Sequence, residues 1–203
     1  MTTFYLVRHG VTSHTAHRLS GRLEGVHLSK EGIAEAEAAA HSLEAVKFRA
    51  VFSSPIDRTL ETARIIAARQ GLEVEVRDGL MEVDYGTWTN RSYKAVARTK
   101  LWSKVQRWPS GARFPAGESL REVQQRALNE LDTIRSEHPR GIVCCVTHAE
   151  VIRLVLADYL GIHMDMFQRI VVGPASTTVV TVGDDGPRVV AVNVPPRLES
   201  KPK

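Results

Sequence analysis

The sequence has only two cysteines, and they are neighbours, Cys144 and Cys145. Consecutive side chains on a strand point to opposite faces, so the pair is not placed to form a disulfide with itself. Buried thiols in a reducing cytosol are the reading that fits. No CxxC or HExxH spacing occurs, and no structural or catalytic zinc is expected. No stretch approaches the roughly 20 apolar residues of a membrane span. The first residues lack a charged segment followed by an apolar one, so no secretory signal is expected and a cytoplasmic location is. Lysines and arginines never run in blocks longer than two, which argues against a nucleic-acid-binding stripe.

What is present suits a single globular domain. The 203 residues are 43% hydrophobic and 25% charged, enough to bury a full core. The formal net charge of +4 comes mostly from arginine, a residue suited to binding phosphate or carboxylate.

Apolar patterning alternates strands with helices. "TTFYLVR" reads as a buried first strand. Ser29 is placed to cap a helix over Lys30–Val46, with Glu31 in its first turn. "RAVFSSP" reads as a strand, "IDRTLETARIIAARQG" as a helix stopped at Gly71, and "EVEVR" as a short strand. Residues 81–117 are less regular, hold all three tryptophans, and predict one short helix over Tyr93–Arg107. After Ser119, apolar residues at Leu120, Val123, Ala127, Leu131 and Ile134 mark an amphipathic helix. "GIVCCVTH" is a continuous β-rich run, hence a strand covered on both faces. A helix over "AEVIRLVLADYLG" and a hairpin from "STTVVTV" to "RVVAVNV" follow. The expected fold is α/β: a three-layer α/β/α sandwich with a mostly parallel central sheet, one domain over residues 1–195. Residues 196–203 are expected to be a disordered polar tail.

In such sheets, sites form beyond the carboxyl ends of the strands. Arg8 and His9 follow one strand, Arg58 follows a second, and His148 follows a third. Each has a bland alternative: a polar strand end for His9, a surface pair with Asp57 or Glu61 for Arg58, a satisfied core histidine for His148. Three charged or titratable strand ends on one edge make the site the better reading.

Five motifs in order then resemble the histidine phosphatase superfamily, in its phosphoglycerate mutase-like branch: "LVRHG", "SSPIDRTLETA", "MEVDYGTW", "PAGES" and "VTHAEVIR". The run "GIHMDMFQRIVVGPAS" further resembles a bacterial phosphatase or phosphomutase-like subgroup. The resemblance implies that His9 is the nucleophile, forming a phosphohistidine, with its other ring nitrogen donating to a backbone carbonyl. It implies that Arg8 and Arg58 clamp the phosphoryl oxygens and that His148 stabilises their charge. Glu82 is implied as general acid, then base, with Asp84 as the rival two residues on. Thr12, Ser20 and Gly21 lie in the loop that resembles the family's phosphate-contact loop, and Ala149 fits its small residue after the second histidine. Thr15 stands where the family commonly carries asparagine; its hydroxyl can still donate to the phosphate, with a shorter reach. The orientation of Glu150 is not legible.

The expected activity is hydrolysis of a small phosphorylated metabolite, with no metal and no cofactor. "MEVDYGTW" and a compact insert resemble the family's phosphatases more than its mutases, which implies hydrolysis over mutase-type transfer, and retention of the five core residues favours it over a silent binding module. Residues 88–115 are expected to cover the pocket. Their Lys100, Lys104, Arg107 and Arg113 are either contacts for an acidic substrate or solvated helix charges. A homodimer is implied only at the level of the family.

Overall fold

A computed structural model describes residues 1–197. Among the described residues there are six strands and six α-helices, in the order β1 (Thr2–Arg8), α1 (Lys30–Ser42), β2 (Ala50–Ser53), α2 (Asp57–Gln70), β3 (Val74–Val76), α3 (Tyr93–Val96), α4 (Lys100–Arg107), α5 (Leu120–Glu137), β4 (Ile142–Thr147), α6 (Ala149–Tyr159), β5 (Thr177–Gly183) and β6 (Gly186–Val194). They form one sheet of order β3-β2-β4-β1-β5-β6. The first three pairings are parallel, and β5 and β6 add an antiparallel edge. Among the described residues no helix is long and apolar enough to cross a membrane.

Strand alternation sorts the core into two clusters. Phe4, Leu6, Phe52 and Cys145 face Val123, Leu131 and Ile134 of α5 and Ile152 and Leu156 of α6. Val7, Val51, Cys144 and Val146 face Ala40 of α1 and Ala63 and Ile66 of α2. The sheet is therefore sandwiched between two helical layers, and the adjacent cysteines do sit on opposite faces.

Helix signals behave as their chemistry dictates. Ser29 accepts a hydrogen bond from Gly32 N, and Gly71 takes the left-handed conformation, φ 65°, that ends α2. Ser119 and Glu122 form a reciprocal capping box at the start of α5.

Two helices differ from expectation. α1 stops at Ser42, not Val46. The Ser42 hydroxyl bonds back to Ala38 O at 2.8 Å, and residues 43–46 turn so that Leu43 and Val46 pack on the α1–α2 cluster. Burial of those two apolar residues overrides the helical pattern. The single helix expected over Tyr93–Arg107 is two, because Thr99 caps a new start by accepting from Trp102 N at 3.1 Å. Of the expected tail, Pro196 and Arg197 are described, and Arg197 N donates to Ser42 Oγ at 3.0 Å. The rest lies outside the described residues.

Candidate active site

Parallel pairing of β2, β4 and β1 puts three carboxyl ends side by side. β1 ends at Arg8 with His9 next, His148 directly follows β4, and the turn after β2 opens α2, which carries Arg58 in its first turn. A Cβ on Gly10 would lie 2.4 Å from Gly32 O, and one on Gly32 would lie 2.0 Å from Val11 O. The glycine after the histidine is thus fixed by close backbone approach to the start of α1.

His9 is buried and its tautomer is set by its neighbours. Nδ1 donates to Gly10 O at 2.7 Å, and Nε2 accepts from Arg58 Nε at 3.2 Å. Burial, then the charges of Arg58 and Arg8, hold the ring well below the usual histidine pKa. It is therefore neutral, with its lone pair on Nε2.

Arg58 is a buried cation, 2% exposed. Its Nη2 donates to Gly21 O at 2.7 Å and approaches His148 Nδ1 at 3.3 Å. Its Nη1 is buried with no partner among the described residues, as is Arg8 Nε. Arg8 Nη1 is fixed on Val172 O at 2.8 Å. Two guanidiniums with an unsatisfied N–H each make a ready anion site, because an unmade bond to a charged donor is expensive. The alternative for Arg58 fails: Asp57 accepts from Gly25 N and Glu61 pairs with His27.

His148 is wholly buried, its ring centroid 5.4 Å from that of His9. Nε2 and Ser54 Oγ are 2.9 Å apart, while Nδ1 faces Arg58 and lies 3.7 Å from Glu82 Oε2. That last approach is not an ion pair at neutral pH. Burial, then Arg58 and His9, keep His148 neutral. The ring stands behind Arg58 rather than on the cavity wall.

Glu82 lines the cavity, with Oε1 accepting from Val83 N at 2.9 Å. Burial, then the nearby Glu150 carboxylate, raises its pKa from 4.5 to about 7. Asp84 turns away to accept from Gly86 N at 2.8 Å and is not on the wall. The rest of the approximately 60 Å³ cavity includes Thr12, Thr15, Ser20, Gly21 and Ala149. Thr15 Oγ1 accepts from Thr12 N at 2.9 Å, so its hydroxyl also holds the loop. Glu150 faces the cavity, paired to Arg153 at 3.2 Å.

Residues 4–195 match the histidine phosphatase superfamily (branch 1). The chain belongs to this superfamily.

This superfamily member is 29% identical over 198 residues to phosphoserine phosphatase 1 of Hydrogenobacter thermophilus, covering 96% of this chain and 93% of that protein. It is 30% identical over 165 residues to a protein of Yersinia pestis named probable phosphoglycerate mutase GpmB, covering 80% of this chain and 76% of that one. Among solved structures, Bacillus stearothermophilus YhfR superposes with a TM-score of 0.87 at 27% identity, over 95% of this chain and 96% of that one. Mycobacterial glucosyl-3-phosphoglycerate phosphatase in complex with VO3 gives 0.85 at 25%, over 95% and 98%.

Sequence reasoning missed what holds Glu82 in place. Arg126 of α5 donates to three carbonyls of the Glu82 segment, Gly79 at 2.9 Å, Met81 at 2.7 Å and Glu82 at 2.9 Å. Glu118 ties Arg126 and Arg22 together and also accepts from Asp84 N at 3.0 Å. Glu118 lies within "PAGES", and Arg126 sits beside the apolar stripe of α5. A charge at that edge was the one available signal.

Proposed function

We propose that this superfamily member is a phosphomonoesterase that hydrolyses a small phosphorylated metabolite through a phosphohistidine at His9. One observation carries the reading. A neutral imidazole with its lone pair on Nε2 and a carboxyl with pKa about 7 share a cavity with two arginines that have unsatisfied N–H groups.

In the proposed reaction the phosphoryl oxygens take the free N–H groups of Arg8 and Arg58. Arg58 Nε releases His9 Nε2, whose lone pair attacks phosphorus. The ester P–O bond breaks, its electron pair goes to the leaving oxygen, and the Glu82 carboxyl gives that oxygen its proton. Water then attacks the phosphohistidine and yields a proton to the Glu82 carboxylate. The P–N bond breaks, the pair returns to Nε2, and phosphate leaves. The arginines hold the equatorial charge in both steps, the role a metal takes elsewhere. Once Arg58 moves off its Nδ1, neutral His148 in the Nδ1–H tautomer, with Nε2 accepting from Ser54 Oγ, would donate to a phosphoryl oxygen. Thr12, Thr15, Ser20, Gly21 and Ala149 are the proposed remaining contacts.

The phosphatase names of the Hydrogenobacter and mycobacterial relatives support hydrolysis. Rapid-quench labelling tests the pathway. An acid-labile, base-stable phosphoryl label is expected on the protein, absent in His9→Ala and unaffected by EDTA; full activity of His9→Ala overturns it.

The Yersinia relative's name favours a second reading, return of the phosphoryl group to another substrate hydroxyl. Assay of 3-phosphoglycerate with and without 2,3-bisphosphoglycerate separates the two. The proposal includes a cytoplasmic location, supported by the buried thiols Cys144 and Cys145. It also includes a homodimer, supported by the exposed Val190, Val192 and Val194 of edge strand β6 and tested by sedimentation equilibrium.

A further inference from the structure

The catalytic cavity adjoins a second of the same size, about 60 Å³. Leu19, Tyr85, Tyr93 and Glu150 are walls of both. The second is otherwise walled by Trp102, Val105, Phe114, Leu120 and Phe167, with two glutamine amides. Among the described residues no lysine, arginine or histidine lines it, and Glu150 is its one charged group.

The covering insert could have supplied cations here and does not. Arg113 pairs with Glu122, Arg107 bonds Ser103, and Lys104 Nζ rests 4.9 Å from the Trp108 ring centroid. Lys100 also lies off both walls. What the insert turns inward is aromatic: its Tyr93 and Trp102 meet edge to face, and its Phe114 meets Tyr85, which precedes the insert, in the same way. The Tyr93 hydroxyl, pushed up to about 12 by burial and by Glu150, stays a neutral donor. Arg18, the remaining guanidinium of the catalytic cavity, is tied by Nη1 to Asn90 O at 2.8 Å and is not a wall of the second cavity.

We propose that the second cavity is the leaving-group subsite, and that it takes a compact apolar or aromatic body carrying no anionic group. The inference rests on the phosphatase reading, since it places the phosphoryl group against His9 and lets the ester oxygen point toward Glu82. From there the body of the substrate meets the aromatic walls, which bury it favourably. A carboxylate on that body would be desolvated with no cation on the walls and would face the carboxylate of Glu150, whose partner Arg153, 3.2 Å away, lies off those walls. Glu150 is then the specificity-determining residue of the subsite.

The test uses the full chain and three esters that differ in one para substituent: phenyl phosphate, 4-carboxyphenyl phosphate and 4-(aminomethyl)phenyl phosphate. Because Glu150 also acts on Glu82, the readout is the ratio of kcat/KM values for one enzyme, in which a common effect on Glu82 cancels. The neutral and cationic esters are expected to exceed the carboxylate by roughly ten-fold or more, about 1.4 kcal/mol of discrimination. Glu150→Gln is expected to remove most of that ratio. Turnover that favours the carboxylate ester, or a ratio unchanged in Glu150→Gln, overturns this inference and leaves the phosphatase reading standing. If the carboxylate preference is lost in Arg18→Gln, the anion is read by Arg18 and the subsite assignment is wrong. Failure to turn over any ester, p-nitrophenyl phosphate included, overturns the phosphatase reading and this inference with it.

Discussion

Replacing Glu82 by glutamine should make the protein more stable and less active, each in a way that can be measured separately. Glutamine keeps the shape of the side chain and can still accept from Val83 N. It cannot ionise. In the native protein the carboxyl has been raised from 4.5 to about 7, first by burial and then by Glu150. A native pKa above the unfolded one means that the native state binds the proton more tightly. The stability linked to that proton is complete below pH 4.5 and is lost as pH rises through about 7. At about 1.36 kcal/mol per pH unit, the loss is on the order of 3 kcal/mol by pH 8. Glu82→Gln escapes it. Urea unfolding from pH 4 to 9 should show the variant's advantage growing between pH 5 and 7 and levelling above that.

Activity should change in the opposite direction. An alkyl phosphate needs its leaving oxygen protonated, so single-turnover formation of phosphohistidine should slow by roughly 10²–10⁴-fold. A p-nitrophenyl ester leaves as a weak base and should slow much less. For wild type, the alkyl-ester rate should fall above pH 7, where the acid form is depleted. Stability curves that run parallel from pH 4 to 9 would refute the buried-acid argument. Equal slowing of both esters would refute the acid role, and leaving-group dependence in Asp84→Asn instead would move that role to Asp84.

Two further substitutions probe the scaffold around the site. Gly10→Ala drives a methyl into Gly32 O, 2.4 Å away, with backbone on both sides, so a loss of roughly 1–3 kcal/mol is expected in chemical denaturation; an unchanged midpoint would mean that the α1 contact is not rigid. Arg126→Lys keeps a charge near Glu82 but cannot hold three carbonyls, so alkyl-ester kcat should fall with little change in KM or in the alkaline limb. Arg126→Gln should in addition move that limb upward, because Arg126 lowers the Glu82 pKa; a p-nitrophenyl ester slowed by the same factor as the alkyl ester would show general damage rather than lost positioning.

The legible parts of the sequence were those written in local chemistry. Continuous apolar, β-rich runs mark the strands, Ser29 and Ser119 mark helix starts, and Gly71 marks a stop. Thr99 carries the same kind of signal within the insert, and it starts the second of the two helices where the apolar pattern alone predicts one. The end of α1 has no such mark, since residues 43–54 contain no glycine or proline and only the packing of Leu43 and Val46 decides it. The strand-end rule gathered Arg8, His9, Arg58 and His148 without knowledge of sheet order. It could not tell that His148 stands behind Arg58 or that Glu150 faces the cavity, because both depend on which neighbours exclude water. The state of Glu82 was illegible for the same reason. A carboxyl is ordinary in sequence and becomes an acid at neutral pH only when burial and a second carboxylate act on it together.

The unsatisfied N–H groups of Arg8 and Arg58 have a consequence for the protein outside its catalytic cycle. Any tetrahedral oxyanion that satisfies them binds the folded chain and not the unfolded one. Inorganic phosphate, the product of the proposed reaction, is such an ion. By mass action it would add about 2.7 kcal/mol of stability at a hundred-fold excess over its dissociation constant. The thermal midpoint should therefore climb with phosphate concentration, and the same occupancy should slow turnover. Phosphate abundance in the cell would then set both how long the folded chain lasts and how much of it is free to work.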